Sequence, residues 1–198
     1  MKFRNIARSR AGRIAIVAVP VAVVTSVLAG GVAQGQVPVS FSVSGSSFQI
    51  SATELAGTGF SQYSGVATDA KGGQHSVAIA NIKSASLTAL CQAVITDTPL
   101  GKVGLLVTAG GEGTPATATD LQIGMTDLKG DSSFGNIRIG VDASQVNTNA
   151  KGTAGEFAQD ADTITIKNLQ QIAWSTQAGV FNLANMHVQI TDGSKGCF

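Results

Sequence analysis

The chain has 198 residues, of which 13% are charged and 5% aromatic, and it contains 24 glycines. This length allows one good-sized core, and low charge with many glycines and β-branched residues favours a secreted all-β protein over a cytosolic enzyme. From residue 36 onward the chain has eight basic and twelve acidic residues, a net charge of −4. A mildly acidic domain without a basic patch is a poor nucleic-acid binder, so no nucleic-acid partner is expected.

The N-terminus has the order of segments that is typical of an export signal. Five basic residues precede residue 14, and residues 14–33 form an uncharged apolar run that ends in small residues. Cleavage after Gly35 leaves Gln36 as the new N-terminus. The alternative is an uncleaved signal anchor through residues 14–33, because an apolar run of this length can span about 30 Å of hydrocarbon. We therefore expect a signal peptide or signal anchor over 1–35 and a single exported domain over 36–198.

The first part of that domain predicts strands, loops and one ambiguous segment. Strict alternation of apolar and polar residues from 37 to 50 predicts a strand that is broken near Gly45. The glycine-rich residues 51–75 predict loops and short strands. Apolar spacing over 77–96 fits either a helix or strands, and we predict a short helix near residues 86–94 between two strands. Residues 101–109 predict another strand.

A short pattern, in which Asn or Asp precedes alternating apolar residues, recurs along the chain. It lies at 120–123, 136–139 and 185–188, with looser copies at 168–171 and 81–82. The spacing is 16 residues from 120 to 136 and 17 from 168 to 185. Such spacing is typical of hairpins in a meander or of β-solenoid rungs in which Asn side chains stack. The predicted fold class is all-β, either two-layer or solenoid-like, with residues 139–162 as an extended surface loop.

Residues 161–190 contain two copies of this pattern. Two alternating runs, Thr163–Leu169 and Val180–Ile190, predict two strands. The segment that joins them contains Trp174, the only tryptophan of the chain.

The two cysteines, Cys91 and Cys197, are expected to form a disulfide, because export leads to an oxidising compartment. The bridge encloses a loop of roughly a hundred residues, which contributes about 4 to 5 kcal/mol in the chain-entropy model.

The residues needed for catalysis do not form a recognisable set, so we assign no catalytic residue. The only histidines are His75 and His187, and the nearest match to a nucleophile elbow, at Gly59–Tyr63 around Ser61, lacks the second glycine. The spacing of Asp120, Asp127 and Asp131 is not that of a calcium loop, and no phosphate-binding loop is present. We predict no metal and no cofactor.

Aromatic side chains and one histidine are the candidates for a ligand or partner surface. They are Phe60, Tyr63, Trp174 and His187. The alternatives remain open: aromatic residues contribute much of a small core, and His187 fits a solvated position on a strand.

Four stretches of this sequence resemble a family of exported actinobacterial proteins, typified by Streptomyces, whose function is unknown. They begin SFSVSGSSFQI, IKSASLTALCQ, TDLQIGMTDLK and TIKNLQQIAWS, and both cysteine positions match the family. The resemblance implies a partner that is a small multi-spanning membrane protein. Some relatives are labelled cholesterol esterase, which implies a secreted carboxylic ester hydrolase, although no catalytic residue of this chain can be assigned from that label.

Three functions follow from these observations. The preferred one is an exported, non-catalytic cell-envelope protein that binds a lipid or a membrane-protein partner. The alternatives are a secreted cholesterol or lipid esterase and a cell-surface structural protein that self-assembles into a homo-oligomer through open sheet edges. The expected location is extracellular or cell-surface associated.

Overall fold

The computed structural model describes residues 42–43 and 45–198, which form strands along most of their length. The all-β prediction is confirmed. The predicted export segment over residues 1–35 and the strand residues 37–41 lie outside the described residues.

Ten strands and one turn of 3₁₀ helix follow one another along the described chain. The 3₁₀ turn is Ala143–Gln145. The strands are β1 Ser42–Val43, β2 Phe48–Asp69, β3 Gln74–Thr88, β4 Leu90–Thr98, β5 Gly101–Ala109, β6 Ala116–Gly135, β7 Arg138–Asp142, β8 Phe157–Gln177, β9 Val180–Asn182 and β10 His187–Thr191.

Four long strands, β2, β3, β6 and β8, close into a small barrel. Strand β2 pairs antiparallel with β3, β3 with β6, and β6 with β8. The ring closes because the first residues of β2 also pair with β8, from Phe48 opposite Ala173 to Ala52 opposite Leu169. The main core is built largely from these strands, and Leu55, Leu121 and Leu169 are among its most deeply buried residues. The structure is thus a closed barrel with added strands, not a stack of solenoid rungs.

Three further strands, β4, β5 and β10, continue the sheet outward from the start of β2 and are called the extension sheet below. Strand β4 pairs with β2, β5 with β4, and β10 with β5. The predicted disulfide between Cys91 and Cys197 is confirmed. It joins the C-terminal tail to β4, so the last residues of the chain are attached to the extension sheet.

The recurring Asn or Asp pattern marks positions where the backbone is left-handed. Asp120, Asn136, Asn168 and Asn185 have φ between 48° and 54°, a conformation that short polar side chains tolerate better than most others. Of the two looser copies, Asn168 has this conformation and Asn81 does not.

At two of these residues, and at two others, the strand exchanges its buried face. Buried residues alternate with a period of two along a regular strand, but they stand three apart across each left-handed residue. The examples are Ala118 and Leu121 around Asp120, Ile166 and Leu169 around Asn168, and Leu87 and Leu90 around Ala89, and the half-buried Gly57 and buried Phe60 have the same spacing around Gly59. At Asp120 and Asn168 the pattern therefore marks backbone kinks inside long barrel strands, whereas Asn136 and Asn185 lie between strands. The proposed Asn ladder is wrong.

The short helix predicted near residues 86–94 is wrong. Strand β3 continues to Thr88, and β4 begins at Leu90 after the left-handed Ala89. The kink places buried residues three apart, which imitates helical spacing in the sequence.

The loops predicted over residues 51–75 are also wrong, because strand β2 runs without interruption from Phe48 to Asp69. Its glycines provide room for neighbouring strands. A Cβ atom at Gly57 would lie 2.5 Å from Ile82 Cγ2.

The C-terminal half differs from prediction in its strand boundaries. The predicted loop over 139–162 contains β7 and the start of β8, which pair with each other. Trp174 lies inside β8 and not in a connection. The strand predicted over Val180–Ile190 is two strands, because β9 pairs with β6 whereas β10 pairs with β5.

Candidate functional site

A groove of about 500 Å³ lies at one end of the barrel's inner face. Gln62 and Ser64 of β2 and Ala78 of β3 line it, together with Phe157 and Gln159 of β8. An adjoining cleft of about 420 Å³ shares Gln62, Val77 and Ala78 with the groove and extends toward Met125 and Leu128. The two depressions adjoin and form one continuous concave surface.

The register of β2 and β3 explains why the groove is there. Phe60 opposite Ile82 is a buried pair of the main core, and Gln62 opposite Ala80 and Ser64 opposite Ala78 follow on the same face. Small side chains at the last pair leave space where the core ends.

One apolar side chain and one hydrogen bond define the entrance. Phe157 is 63% exposed, although it is a large apolar residue. Gln159, two residues further along β8, donates from Nε2 to Gln62 Oε1 over 2.7 Å. Ile139 of β7, also exposed, pairs directly with Gln159 and shares its face. The groove therefore combines an apolar rim with a few fixed polar groups, which is the usual composition of a small-molecule site.

The outer face of the same strands carries a buried chain of hydrogen bonds. Gln177, Gln122, Asn81 and Ser61 are direct cross-strand neighbours on four barrel strands. Each amide donates to the next residue: Gln177 to Gln122 over 2.7 Å, Gln122 to Asn81 over 2.7 Å and Asn81 to Ser61 over 3.2 Å. The chain of hydrogen bonds ends at Thr148, whose Oγ1 lies 2.5 Å from Ser61 Oγ.

Ser61 is consequently engaged in a structural network. It is fully buried, and its hydroxyl contacts Thr148 and Asn81. Neither residue is a general base, so the geometry gives Ser61 none of the activation that a nucleophilic serine requires. Tyr63, on the same face, has its pKa raised by burial, an effect that a hydrogen bond with Asn81 partly opposes.

Residues 143–156, which we call the strap, cover this network and are fixed at both ends by carboxylates. Asp142 accepts hydrogen bonds from Ser144 N and Gly155 N, each over 2.8 Å. Asp160 accepts from Arg138 Nε over 2.8 Å and from Asn147 N over 2.7 Å. The hydrogen bond from Arg138 lowers the pKa of the buried Asp160 carboxyl, although burial acts in the opposite direction.

A β-bulge carries Trp174 onto the outer face. Gly124 pairs with Ser175 and Met125 with Ala173, so Trp174 is the extra residue of β8. Its ring stacks on His75, with centroids 3.6 Å apart and the planes at 14°. His75 Nε2 lies 3.1 Å from Asp69 Oδ2, and this contact is the main cause of the lowered pKa of Asp69.

The four side chains named as a candidate surface lie in different places. Phe60 is buried in the main core and packs on Phe134, with ring centroids 5.4 Å apart. Tyr63 is buried under the strap and lines one side of the groove. Trp174 packs on Val77, which also lines the groove. His187 is exposed on β10, opposite Thr108 in the extension sheet.

Other groove residues carried no signal in the sequence. Gln62 and Ser64 fell in a segment predicted as loops, and Phe157 and Gln159 fell in the predicted surface loop. A hydrophobic residue in an otherwise polar segment, as Phe157 is, was the one hint that could have been used.

Comparison with known proteins places the chain in a family. The model of a family of unknown function, DUF6230, matches residues 44–198. The chain belongs to this family. The match covers the barrel, the extension sheet and both cysteines of this DUF6230 protein. No curated protein and no solved structure matches it.

Two further observations concern the described residues of this DUF6230 protein. Within 42–43 and 45–198, we find no helix with the length and apolar character needed to cross a membrane. The same residues contain no group of three or more His, Cys, Asp or Glu side chains that could hold a metal ion.

Proposed function

We propose that the protein is an exported, non-catalytic component of the cell envelope that binds a lipid in the groove. The observation that carries this proposal is the groove itself, where the barrel core opens between small side chains toward an exposed Phe157. An apolar chain in the groove continues the packing of the core, and the Gln62–Gln159 pair offers hydrogen bonds to a polar end.

The proposed location follows from the N-terminal segment. A basic start followed by an apolar run is the pattern of an export signal, and the disulfide between Cys91 and Cys197 fits an oxidising compartment. Residues 14–33 serve either as a cleaved signal or as an anchor that keeps the domain at the outer surface of the cell membrane.

Among the residues that the structure describes, no contact favours the alternative esterase function. The hydroxyl of Ser61 is buried against Thr148 and Asn81. His187 lies on β10 of the extension sheet, and His75 stacks on Trp174. An ester hydrolase needs nucleophile and base within hydrogen-bond reach.

The test is binding of a fluorescent fatty acid, cis-parinaric acid, to the full-length chain. We expect saturable binding that Phe157→Asp weakens about tenfold or more, because burying a phenylalanine side chain contributes about 1.5 to 3 kcal/mol. Emission from Trp174 provides a second signal, since Trp174 packs on Val77 at the edge of the groove.

The matched control is Val180→Asp, which places the same charge at another exposed apolar residue, on β9. This residue does not line the groove, so binding should be unchanged. Equal loss in both variants, or no saturable binding by the native chain, contradicts the lipid proposal. Turnover of a fatty-acyl ester that Ser61→Ala abolishes would instead support the esterase.

A further inference from the structure

One glutamine side chain is buried inside the barrel without a hydrogen-bond partner for its amide nitrogen. Gln171 lies on β8 between Leu169 and Ala173, which belong to the main core, and it is 2% exposed. Among the described residues, Gln171 Nε2 is one of three buried side-chain polar atoms that lack a partner. Burying a donor without a partner is costly, and such groups are rare in folded proteins. The amide of Gln171 is therefore a candidate for binding a ligand.

The other two atoms lie in less enclosed places. Asn147 Oδ1 belongs to the strap, where Nδ2 of the same side chain donates to Ala161 O over 3.1 Å. Thr176 lies next to the last residue of β8 and is only partly buried. Of the three side chains, Gln171 is the one that lies on the inner face of the barrel.

Gln171 lies one strand away from the cleft that adjoins the groove. Its direct partner on β6 is Leu128, and Ala173, the next residue on the same face, pairs with Met125. Leu128 and Met125 both line the cleft. Because cross-strand partners on one face have Cβ atoms about 5 Å apart, these two apolar side chains are what separates the amide from the cleft. Methionine is unbranched and adapts its shape readily, so a chain that enters the cleft can move Met125 and reach the amide.

The neighbours of Gln171 leave one donor to be satisfied in apolar surroundings. Its partner on β2 is Ile50, so the amide lies among the apolar side chains of Ile50, Leu128 and Leu169. A buried water molecule needs several polar partners to be held in place, and these side chains offer none. An ion in this position loses its hydration without gaining a counterion. A neutral acceptor fits the amide best.

Charge at the cleft also disfavours an anionic group. Of the described residues that line the groove or the cleft, Asp127 is the one that carries a charge, and its carboxylate repels a second carboxylate nearby. Lys129 Nζ lies 3.7 Å from Asp127 Oδ2, but both side chains are exposed, so solvent screens this ion pair. The cleft thus favours an uncharged ligand.

We propose that Gln171 Nε2 donates a hydrogen bond to the carbonyl oxygen of an uncharged lipid, an ester or a long-chain ketone, that enters through the cleft. This inference rests on the lipid-binding function proposed above and names the class of lipid. A carbonyl oxygen accepts hydrogen bonds and donates none, and in such a lipid it has apolar groups on both sides. It therefore matches a single donor in an apolar wall. A free fatty acid instead leaves its carboxylate near the entrance, at Gln62 and Gln159.

The test is displacement of cis-parinaric acid from the full-length chain by three competitors. They are 10-nonadecanone, methyl stearate and nonadecane, which have the same number of carbon atoms, and nonadecane has no oxygen. The measured quantity is the affinity for each carbonyl compound divided by the affinity for nonadecane. General hydrophobicity cancels when this ratio is compared between two forms of the protein. The stronger of the two carbonyl compounds shows whether the carbonyl lies in the middle or near the end of the bound chain.

Gln171→Met removes the donor and keeps an unbranched side chain of similar length. The ratio should fall about tenfold, which is the effect of one hydrogen bond between neutral groups. Gln170→Met is the matched control, because Gln170 is the exposed neighbour on the other face of β8, and its ratio should equal that of the native chain. An unchanged ratio in Gln171→Met, or an equal fall in both variants, overturns the inference alone. Absence of saturable cis-parinaric acid binding by the native chain overturns the proposed function as well.

Nuclear magnetic resonance of the native chain observes the hydrogen bond directly. The side-chain amide signals of Gln171, assigned by triple-resonance experiments, should shift when 10-nonadecanone is added and not when nonadecane is added. The amide signals of Gln170 should stay in place with both compounds. Because no substitution is needed, this measurement decides the question even where Gln171→Met fails to fold. Equal shifts of the Gln171 signals with both compounds, or no shift with the ketone and the ester, overturn the proposal.

Discussion

The barrel and the extension sheet are built from strands of similar composition but bury them differently. In the barrel, alternating Leu, Ile and Ala face a closed interior, and residues such as Leu121 and Ile164 are almost inaccessible. In the extension sheet, Val188 and Ile190 alternate just as regularly yet are among the most exposed apolar residues. Closure supplies the barrel with its own second layer, whereas the extension sheet has one face open and the other only partly covered by the tail, since Ile95 on that face is 37% exposed.

The difference shows what alternation alone can establish. A period of two tells which residues share a face, because it follows from the geometry of the strand. It carries no information about what covers that face. The disulfide compensates in the extension sheet, since Cys91 and Cys197 attach a covering segment that the barrel obtains by closure.

Loss of the disulfide is expected to have the largest effect on stability, and it should affect the extension sheet more than the barrel. The bridge joins residues 106 apart in sequence, and a loop of that size contributes about 4 to 5 kcal/mol in the chain-entropy model. Replacing both Cys91 and Cys197 by Ser should lower the urea midpoint accordingly. Hydrogen exchange should accelerate first in β4, β5 and β10, whose cover is lost, and less in β3 and β6.

Reduction of the native protein provides the control for this prediction. A reductant should reproduce the effect in the native chain and leave the double variant unchanged. If exchange accelerates equally in all strands, the two regions form one cooperative unit, and the distinction between barrel and extension sheet loses its energetic meaning.

A pair of truncations compares the two regions directly. Leu121→Ala creates a cavity in the barrel core, where it should cost about 2 to 5 kcal/mol. Val188→Ala removes a similar apolar group from the exposed face and should cost less than about 0.5 kcal/mol in the monomer. Urea denaturation at low protein concentration measures both. A cost at Val188 that approaches the cost at Leu121 would mean that the extension face is already covered.

The strap allows a third comparison, which uses the dependence of stability on pH. Asp160 is buried and accepts hydrogen bonds from Arg138 and Asn147, so Asp160→Asn should cost about 1 to 3 kcal/mol near neutral pH. Its folded-state pKa is lowered chiefly by Arg138. The contribution is therefore complete above the unfolded pKa, about 3.9, and is lost as pH falls through the folded-state value.

Urea midpoints measured from about pH 7 down to about pH 2 should converge for native and Asp160→Asn proteins at the acid end. The exposed Asp162, whose partner is Asn136, gives the control. Asp162→Asn should cost less than about 1 kcal/mol throughout. A gap between native and Asp160→Asn proteins that persists at the lowest pH would show that the carboxylate charge is not what fixes the strap.

Fold class and disulfide could be predicted from the sequence because both follow from local chemistry. Low charge and β-branched residues indicate strands, and two cysteines after a predicted export signal indicate a bridge. Closure of the barrel could not be predicted, because it depends on pairing between the first residues of β2 and residues 169–173 of β8, which are far apart in the chain. The glycines of β2 were misleading, since Gly57 accommodates Ile82 instead of forming a turn.

The candidate groove could not be predicted from the sequence for a related reason. Gln62, Ser64 and Ala78 are ordinary residues, and they form a site only because the register places them where the core ends. The aromatic residues chosen from the sequence were dispersed by the same register. Phe60 fell on the core face, whereas Tyr63 fell on the outer face under the strap.

A small stabilising effect is expected at Ala89, at the junction of the barrel and the extension sheet. Its φ is 51°, and a left-handed conformation costs an alanine about 1 to 2 kcal/mol relative to glycine. The kink is retained because it turns Leu90 into the core directly after Leu87. Ala89→Gly should therefore stabilise the protein by about 1 kcal/mol, after the greater unfolded-state entropy of glycine is subtracted. Ala70→Gly, at an exposed turn residue without positive φ, should be neutral or destabilising in the same thermal denaturation experiment. A destabilising Ala89→Gly would mean that residue 89 is not held in the left-handed region, and that the change of buried face between β3 and β4 has another cause.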